Sequence, residues 1–180
     1  LEDWDKSVDG IACKYLLRDK TGLRTYFNED GVIVLQKDAH DNKITYTYTD
    51  GIYFSKITDS VGREIAFHYN NDDGEKTLSS VTVQGKAAGG GVSKKTISYE
   101  TEEKSYTPHH GDRLHGVILT SATVDGSKEK YSYKTVERLV NTSGAGVASQ
   151  RVSTNQSYLL NKITADGNET HYEYRAGSLH

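Results

Sequence analysis

Beyond the first fourteen residues, five Asp-Gly pairs punctuate this chain: Asp30-Gly31, Asp50-Gly51, Asp73-Gly74, Asp125-Gly126 and Asp166-Gly167. Asp-Gly tolerates the positive φ angles of tight turns whose twist matches that of paired strands, so it is a strong local hairpin signal. The segments between the pairs alternate. Ile44-Thr45-Tyr46-Thr47-Tyr48 and Ile65-Ala66-Phe67-His68-Tyr69 have a period of two, and Ile97-Ser98-Tyr99, Tyr131-Ser132-Tyr133 and Tyr172-Glu173-Tyr174 are shorter copies. That period marks strands with one buried face, and Thr, Tyr, Ile and Val favour strands. No segment has helical spacing, and the single proline, Pro108, sits in a polar stretch rather than a strand. The expected fold is all-β, with antiparallel β-hairpin repeats forming a twisted, curved sheet.

The hairpins recur. Tyr26, Tyr46 and Phe67 are spaced by about 20 residues, as are Asp19, Asp38 and Asp59. Aligned on the aspartates, the units read Asp19-Lys-Thr-Gly22, Asp38-Ala-His-Asp-Asn42 and Asp59-Ser-Val-Gly62-Arg63, each followed by a strand ending in aromatics. Such a period signals units that bury their faces against neighbours. Residues 1–14 match no unit and read as a lead-in strand or cap; 15–180 form one undivided repeat region. Polar insertions are expected near 85–95, 102–113 and 141–156.

Only 34% of residues are hydrophobic, Met is absent, and Tyr outnumbers Phe 13 to 3. Tyrosine buries its ring while keeping its hydroxyl near water, which suits a thin sheet better than a deep core. Net charge is −3 with both signs interspersed, so a nucleic-acid-tracking surface is not expected. Apolar runs are too short for a membrane-spanning helix. Cys13 is alone and lies near Ile11, Ala12 and Tyr15, which reads as inert packing. The chain reads as an excised piece of a longer exported protein, and the closing Gly177-Ser178-Leu179-His180 is given no functional role.

The ordered succession from Asp41 to Val83 closely resembles the RHS/YD repeats. It runs Asp-Asn-Lys-Ile-Thr-Tyr-Thr-Tyr, then Ile57-Thr58-Asp59, Gly62-Arg63-Glu-Ile-Ala-Phe-His-Tyr and Leu78-Ser-Ser-Val-Thr. These repeats occur in bacterial wall-associated proteins, polymorphic toxins, toxin-complex shells and teneurins. The match runs over 15–83 and recurs, more degenerate, at about 114–134 and 158–175. The Tyr-Asp dipeptide of the family is not intact: Tyr48-Thr49-Asp50 and Tyr69-Asn70-Asn71-Asp72 replace it. The resemblance implies a secreted or cell-surface bacterial module, an arc of a β-shell that encloses or presents an effector domain. Its partners would be adjacent repeats, and an isolated piece would pair edge to edge as a homodimer. Nothing resembles the family's self-cleavage motif.

Chemistry is sparse. His109, His110, Asp112 and His115 place imidazoles and a carboxylate at short spacing, a candidate zinc or nickel set, although an exposed polar loop accounts for the same residues. There is no nucleophile elbow, phosphate-cradling loop or metalloprotease helix, so an enzyme is not expected, nor a cofactor. Trp4, Tyr53, Phe54 and Tyr106 stand outside the clean inward alternation and are candidate ligand-binding aromatics for a surface glycan. The leading expectation is a non-catalytic structural repeat module. The alternative is an adhesin-like carbohydrate-binding module.

Overall fold

The computed structural model describes residues 1–72, 75–87, 89–106, 114–141 and 152–174. Among them the chain forms thirteen strands and no helix. The first eight are β1 (Glu2–Val8), β2 (Ile11–Arg18), β3 (Arg24–Phe27), β4 (Ile33–Lys37), β5 (Lys43–Thr49), β6 (Tyr53–Asp59), β7 (Glu64–Asp72) and β8 (Glu75–Lys86). Then come β9 (Val92–Tyr106), β10 (Leu114–Val124), β11 (Ser127–Asn141), β12 (Val152–Ala165) and β13 (Asn168–His171). They hydrogen-bond in sequence order as one open antiparallel sheet, the expected hairpin architecture. Two compact units divide it, Leu1–Ile97 and Ser98–His180. The boundary falls inside β9, where no linker composition marks it, so the sequence reads as one undivided region.

Two turn types close the hairpins. Asp9-Gly10, Asp125-Gly126 and Asp166-Gly167 connect paired residues directly, with both φ angles positive, as the type I′ turn requires. Asp50 and Gly51 also have positive φ, in a loop that includes Ile52. Asp9-Gly10 carries the same signal as the other pairs but lies in the segment that matched no repeat. Asp30-Gly31 departs from expectation, because it belongs to a five-residue loop from Asn28 to Val32.

That five-residue loop is the recurring one. In Asp19–Leu23, Asn28–Val32, Asp38–Asn42, Asp59–Arg63 and Ala87–Gly91, the first N–H donates to the fifth carbonyl, and the fourth N–H to the first carbonyl. The fourth residue has positive φ each time: Gly22, Gly31, Asp41, Gly62 and Gly90. This is a tight turn closed by a bulge residue in the left-handed region. Asp19, Asp38 and Asp59 each accept backbone N–H bonds at 2.8–3.0 Å from the third and fifth loop residues. The repeat period in the sequence is therefore the period of this loop, each aspartate fixing its own turn.

A second device recurs. Register slips between Thr47/Tyr48, His68/Tyr69 and Ser132/Tyr133. The tyrosine at each slip donates its hydroxyl to a carbonyl of the preceding strand: Tyr48 to Ile33 at 2.8 Å, Tyr69 to Phe54 at 3.0 Å and Tyr133 to Leu119 at 2.7 Å. Tyr174 likewise donates to the Leu160 carbonyl of β12, and Tyr158 of β12 donates to the Ser105 carbonyl of β9. Phe27 follows the slip at Tyr26/Phe27 and has no hydroxyl to donate.

Much of the sequence expected as insertion is strand. Of 85–95, residues 85–86 belong to β8 and 92–95 to β9, leaving the tight loop between Ala87 and Gly91. Residues 102–106 continue β9, Asn141 ends β11 and 152–156 begin β12, while 107–113 and 142–151 lie outside the described residues. Polar residues such as Glu102, Glu103 and Lys104 suit a strand wet on both faces, so their polarity did not mark a loop.

Within the first unit, register assigns the faces. Tyr46, Ile57, Ile65 and Val83 stand opposite one another across β5–β8 as an apolar row. The next rows, Thr45-Thr58-Glu64-Gln84 and Thr47-Lys56-Ala66-Thr82, are mostly polar and point the other way. The polar face becomes a core only further along, where Leu16, Tyr26 and Leu35 align and are buried at 0%, 3% and 0% exposure. There the tip of the first hairpin folds across the sheet. Val8 and Ile11 pack on that core with Trp4 and Val34, while Asp9 reaches Lys37 and Lys43 at 3.0 Å each. Cys13 is buried in the same cluster, its thiol pushed up in pKa by burial, as its apolar neighbours implied.

The second unit is tied by Glu100 of β9. Its carboxylate accepts from the buried Ser121 hydroxyl of β10 at 2.8 Å and from Lys128 of β11 at 2.7 Å, which hold it below the usual carboxylate range, Lys128 first.

Candidate functional site

The most distinctive surface is the apolar face of β5–β8. Phe54 is its centre. Its ring lies 4.8 Å from that of Tyr48, tilted 30°, 5.7 Å from Phe67, tilted 32°, and 6.2 Å from Tyr46, tilted 48°. Tyr53 meets Tyr69 edge-on at 5.4 Å, with Lys76 Nζ 5.6 Å above the Tyr53 ring; Lys76 also pairs with Asp50. Ile57, Ile65 and Val81 fill the rows behind, and Ile44 and Val83 are 37% and 45% exposed at the margins.

The sheet places these rings and also occupies their polar ends. Tyr48 and Tyr69 donate to carbonyls, and Tyr46 donates to Gln36 Oε1 at 2.7 Å, whose amide donates in turn to Thr25. Burial raises the pKa of the Tyr46, Tyr48 and Tyr69 phenols. With hydroxyls engaged in the sheet, what remains to offer a partner is ring face and aliphatic side chain. That surface suits the C–H face of a sugar or another apolar layer, recognised by stacking and dispersion rather than charge.

One rim of this face holds the loops Asp38–Asn42 and Asp59–Arg63, with Leu23, Gln36 and Ile44 lining the groove between them. Asp59 is held below the ordinary carboxylate range, first by the Arg63 backbone N–H, with the Arg63 guanidinium adding a bond at 2.5 Å. Asp38 is lowered mainly by the Asn42 side-chain amide, and Asp19 by the Thr21 hydroxyl. Each of these carboxylates serves its own turn.

The candidate aromatics of the sequence are not gathered in one place. Phe54 and Tyr53 belong to the β5–β8 cluster. Trp4 lies on the core instead, edge-on to Tyr26 at 6.2 Å, with Lys6 and Arg18 over its ring at 4.8 and 5.4 Å. Its Nε1 is buried and has no hydrogen-bond partner among the described residues. The Tyr106 side chain, His109, His110, Asp112 and the His115 side chain lie outside the described residues. Among the described residues no group of three or more His, Cys, Asp or Glu is placed to hold a metal ion. No described helix is long and apolar enough to cross a membrane.

The alternation of the sequence assigns Tyr46, Tyr48, Phe67 and Tyr69 to the inward face of the repeats, outside the candidate surface. In a single-layer sheet the apolar side of the alternation stays accessible unless something covers it, and these residues are half-buried rather than buried. A scan against protein-family models and a search of curated proteins found no match for the chain.

Proposed function

We propose that this chain is a non-catalytic structural repeat module of the RHS/YD type, from a secreted or cell-surface bacterial protein, contributing to a β-shell that encloses or presents an effector domain. The observation that carries the reading is the identity of successive units. Residues 38–48 and 59–69 superpose in role at a shift of 21 positions: Asp38 and Asp59 fix the loops, Tyr46 and Phe67 share a face, and Tyr48 and Tyr69 tie each strand to a carbonyl 15 residues back. Side chains a catalyst would use are spent on shape, as with Asp19, Asp38, Asp59 and Glu100.

Duplicating residues 43–63 tests this. A modular scaffold accepts the added unit, retaining its strand-type circular dichroism and a cooperative transition with a steeper urea dependence, since more surface is buried. Loss of cooperative folding on duplication, with the parent chain folding normally, refutes modularity.

A second reading has its own support in the Phe54 cluster: a carbohydrate-binding face. A glycan array separates the two, because reproducible hits abolished by Phe54→Ala with folding retained favour the binding module.

A further inference from the structure

The first hairpin differs from every other in the first unit. Among the described residues β1 pairs with β2 alone, and its outer side is a lateral edge of the sheet. Edge strands carry unpaired N–H and C=O groups that invite a further strand, unless the edge is bent, bulged or charged.

β1 is all three. Asp3 pairs with Tyr15 and Lys6 with Cys13, so Trp4 and Asp5 together face the single residue Lys14, a bulge in mid-strand. Asp5 adopts a φ of 40°, a left-handed conformation that breaks the even spacing of outward donors and acceptors. Four of seven residues, Glu2, Asp3, Asp5 and Lys6, are charged. Lys14 clamps the bulge, with its Nζ 3.5 Å from both Asp3 and Asp5. The tip then folds over the core, held by Asp9 between Lys37 and Lys43, so the hairpin turns away from the line of the sheet.

We infer that the β1–β2 hairpin is a cap: the bulge, charge and bend of β1 make its outer edge refuse strand addition from a second copy of the chain. The edge-to-edge pairing that the repeat resemblance implies is thereby barred at β1. This goes beyond the scaffold reading and stands apart from it, since it rests on β1 geometry and a failed unit duplication leaves it untouched.

Amide hydrogen exchange by NMR, combined with light scattering, tests it. In the intact chain the outward amides of residues 2–8 exchange at a rate independent of protein concentration. Protection there that grows with concentration overturns the inference. The converse variant deletes Asp5, which restores one-to-one pairing without changing which face the flanking side chains take, and adds Asp3→Thr and Lys6→Thr. It is expected to double in mass and to gain concentration-dependent protection in β1. A folded variant that stays monomeric, with β1 amides unprotected, also overturns the cap. If the deletion does not fold, the intact chain's exchange decides alone.

Discussion

Replacing Tyr69 with Phe removes one oxygen and leaves the ring. The lost bond runs 3.0 Å to the Phe54 carbonyl, and the edge contact with Tyr53 is untouched. A net intramolecular hydrogen bond contributes about 0.5–1.5 kcal/mol. The Tyr69 ring is half-buried, so water partly satisfies the abandoned carbonyl and the cost falls near ~1 kcal/mol. Tyr48→Phe, which frees the Ile33 carbonyl, costs a similar ~1 kcal/mol, and the double variant about 2 kcal/mol, because the two bonds have separate acceptors. Tyr69→Ala loses ring packing as well and costs roughly 2–3 kcal/mol, below the range for fully buried aromatics. Urea unfolding followed by Trp4 fluorescence reads the first unit directly, since Trp4 is the only tryptophan and packs on its core. If both Phe variants unfold at or above the parent midpoint, the phenol–carbonyl bonds contribute nothing and the repeat rests on ring packing alone.

Leu35→Ala, at a site with 0% exposure beneath the folded-over hairpin, is expected to cost about 3–5 kcal/mol in the same assay. Gly62→Ala meets no atom within 4 Å of the added Cβ, so its cost is that of a left-handed φ alone, ~1–2 kcal/mol. Gly22→Ala costs more, because its Cβ also comes within 3.1 Å of the Ala39 Cβ; equal midpoints for the two glycine variants would disprove that contact. The carboxyls of Asp9, Asp19, Asp38 and Asp59 are all lowered in the fold, Asp9 first by Lys37 and then by Lys43. Their contribution is complete above the unfolded aspartate pKa of about 3.9 and is lost as pH falls through the lower folded values. Urea midpoints should therefore stay level on the acid side down to about pH 4 and drop below it, with Asp59→Asn flattening the drop.

Strand character, hairpin order and the near-20-residue unit were legible because they are local. An Asp-Gly pair needs a turn whatever surrounds it, a period of two needs a strand, and an aspartate three residues before a left-handed position organises its own loop. The same locality explains the errors. Asp30-Gly31 looks like a two-residue turn until Asn28 is seen accepting the Val32 N–H, and the polar run 102–106 looks like a loop until neighbouring strands supply its ladder.

The residues alone determined that this chain makes antiparallel hairpins on a repeating loop, since those choices depend on backbone preferences within a few positions. Only tertiary structure decided which apolar side chains are buried. Tyr26 and Tyr46 read alike in sequence, yet Tyr26 lies beneath the first hairpin at 3% exposure while Tyr46 stays half-exposed on the opposite face. The difference is made by the first hairpin, whose Trp4, Val8 and Ile11 pack on the core around Tyr26 while Asp9 meets Lys37 and Lys43 across 28 and 34 residues of chain, long-range contacts that fold a second layer over one part of the sheet.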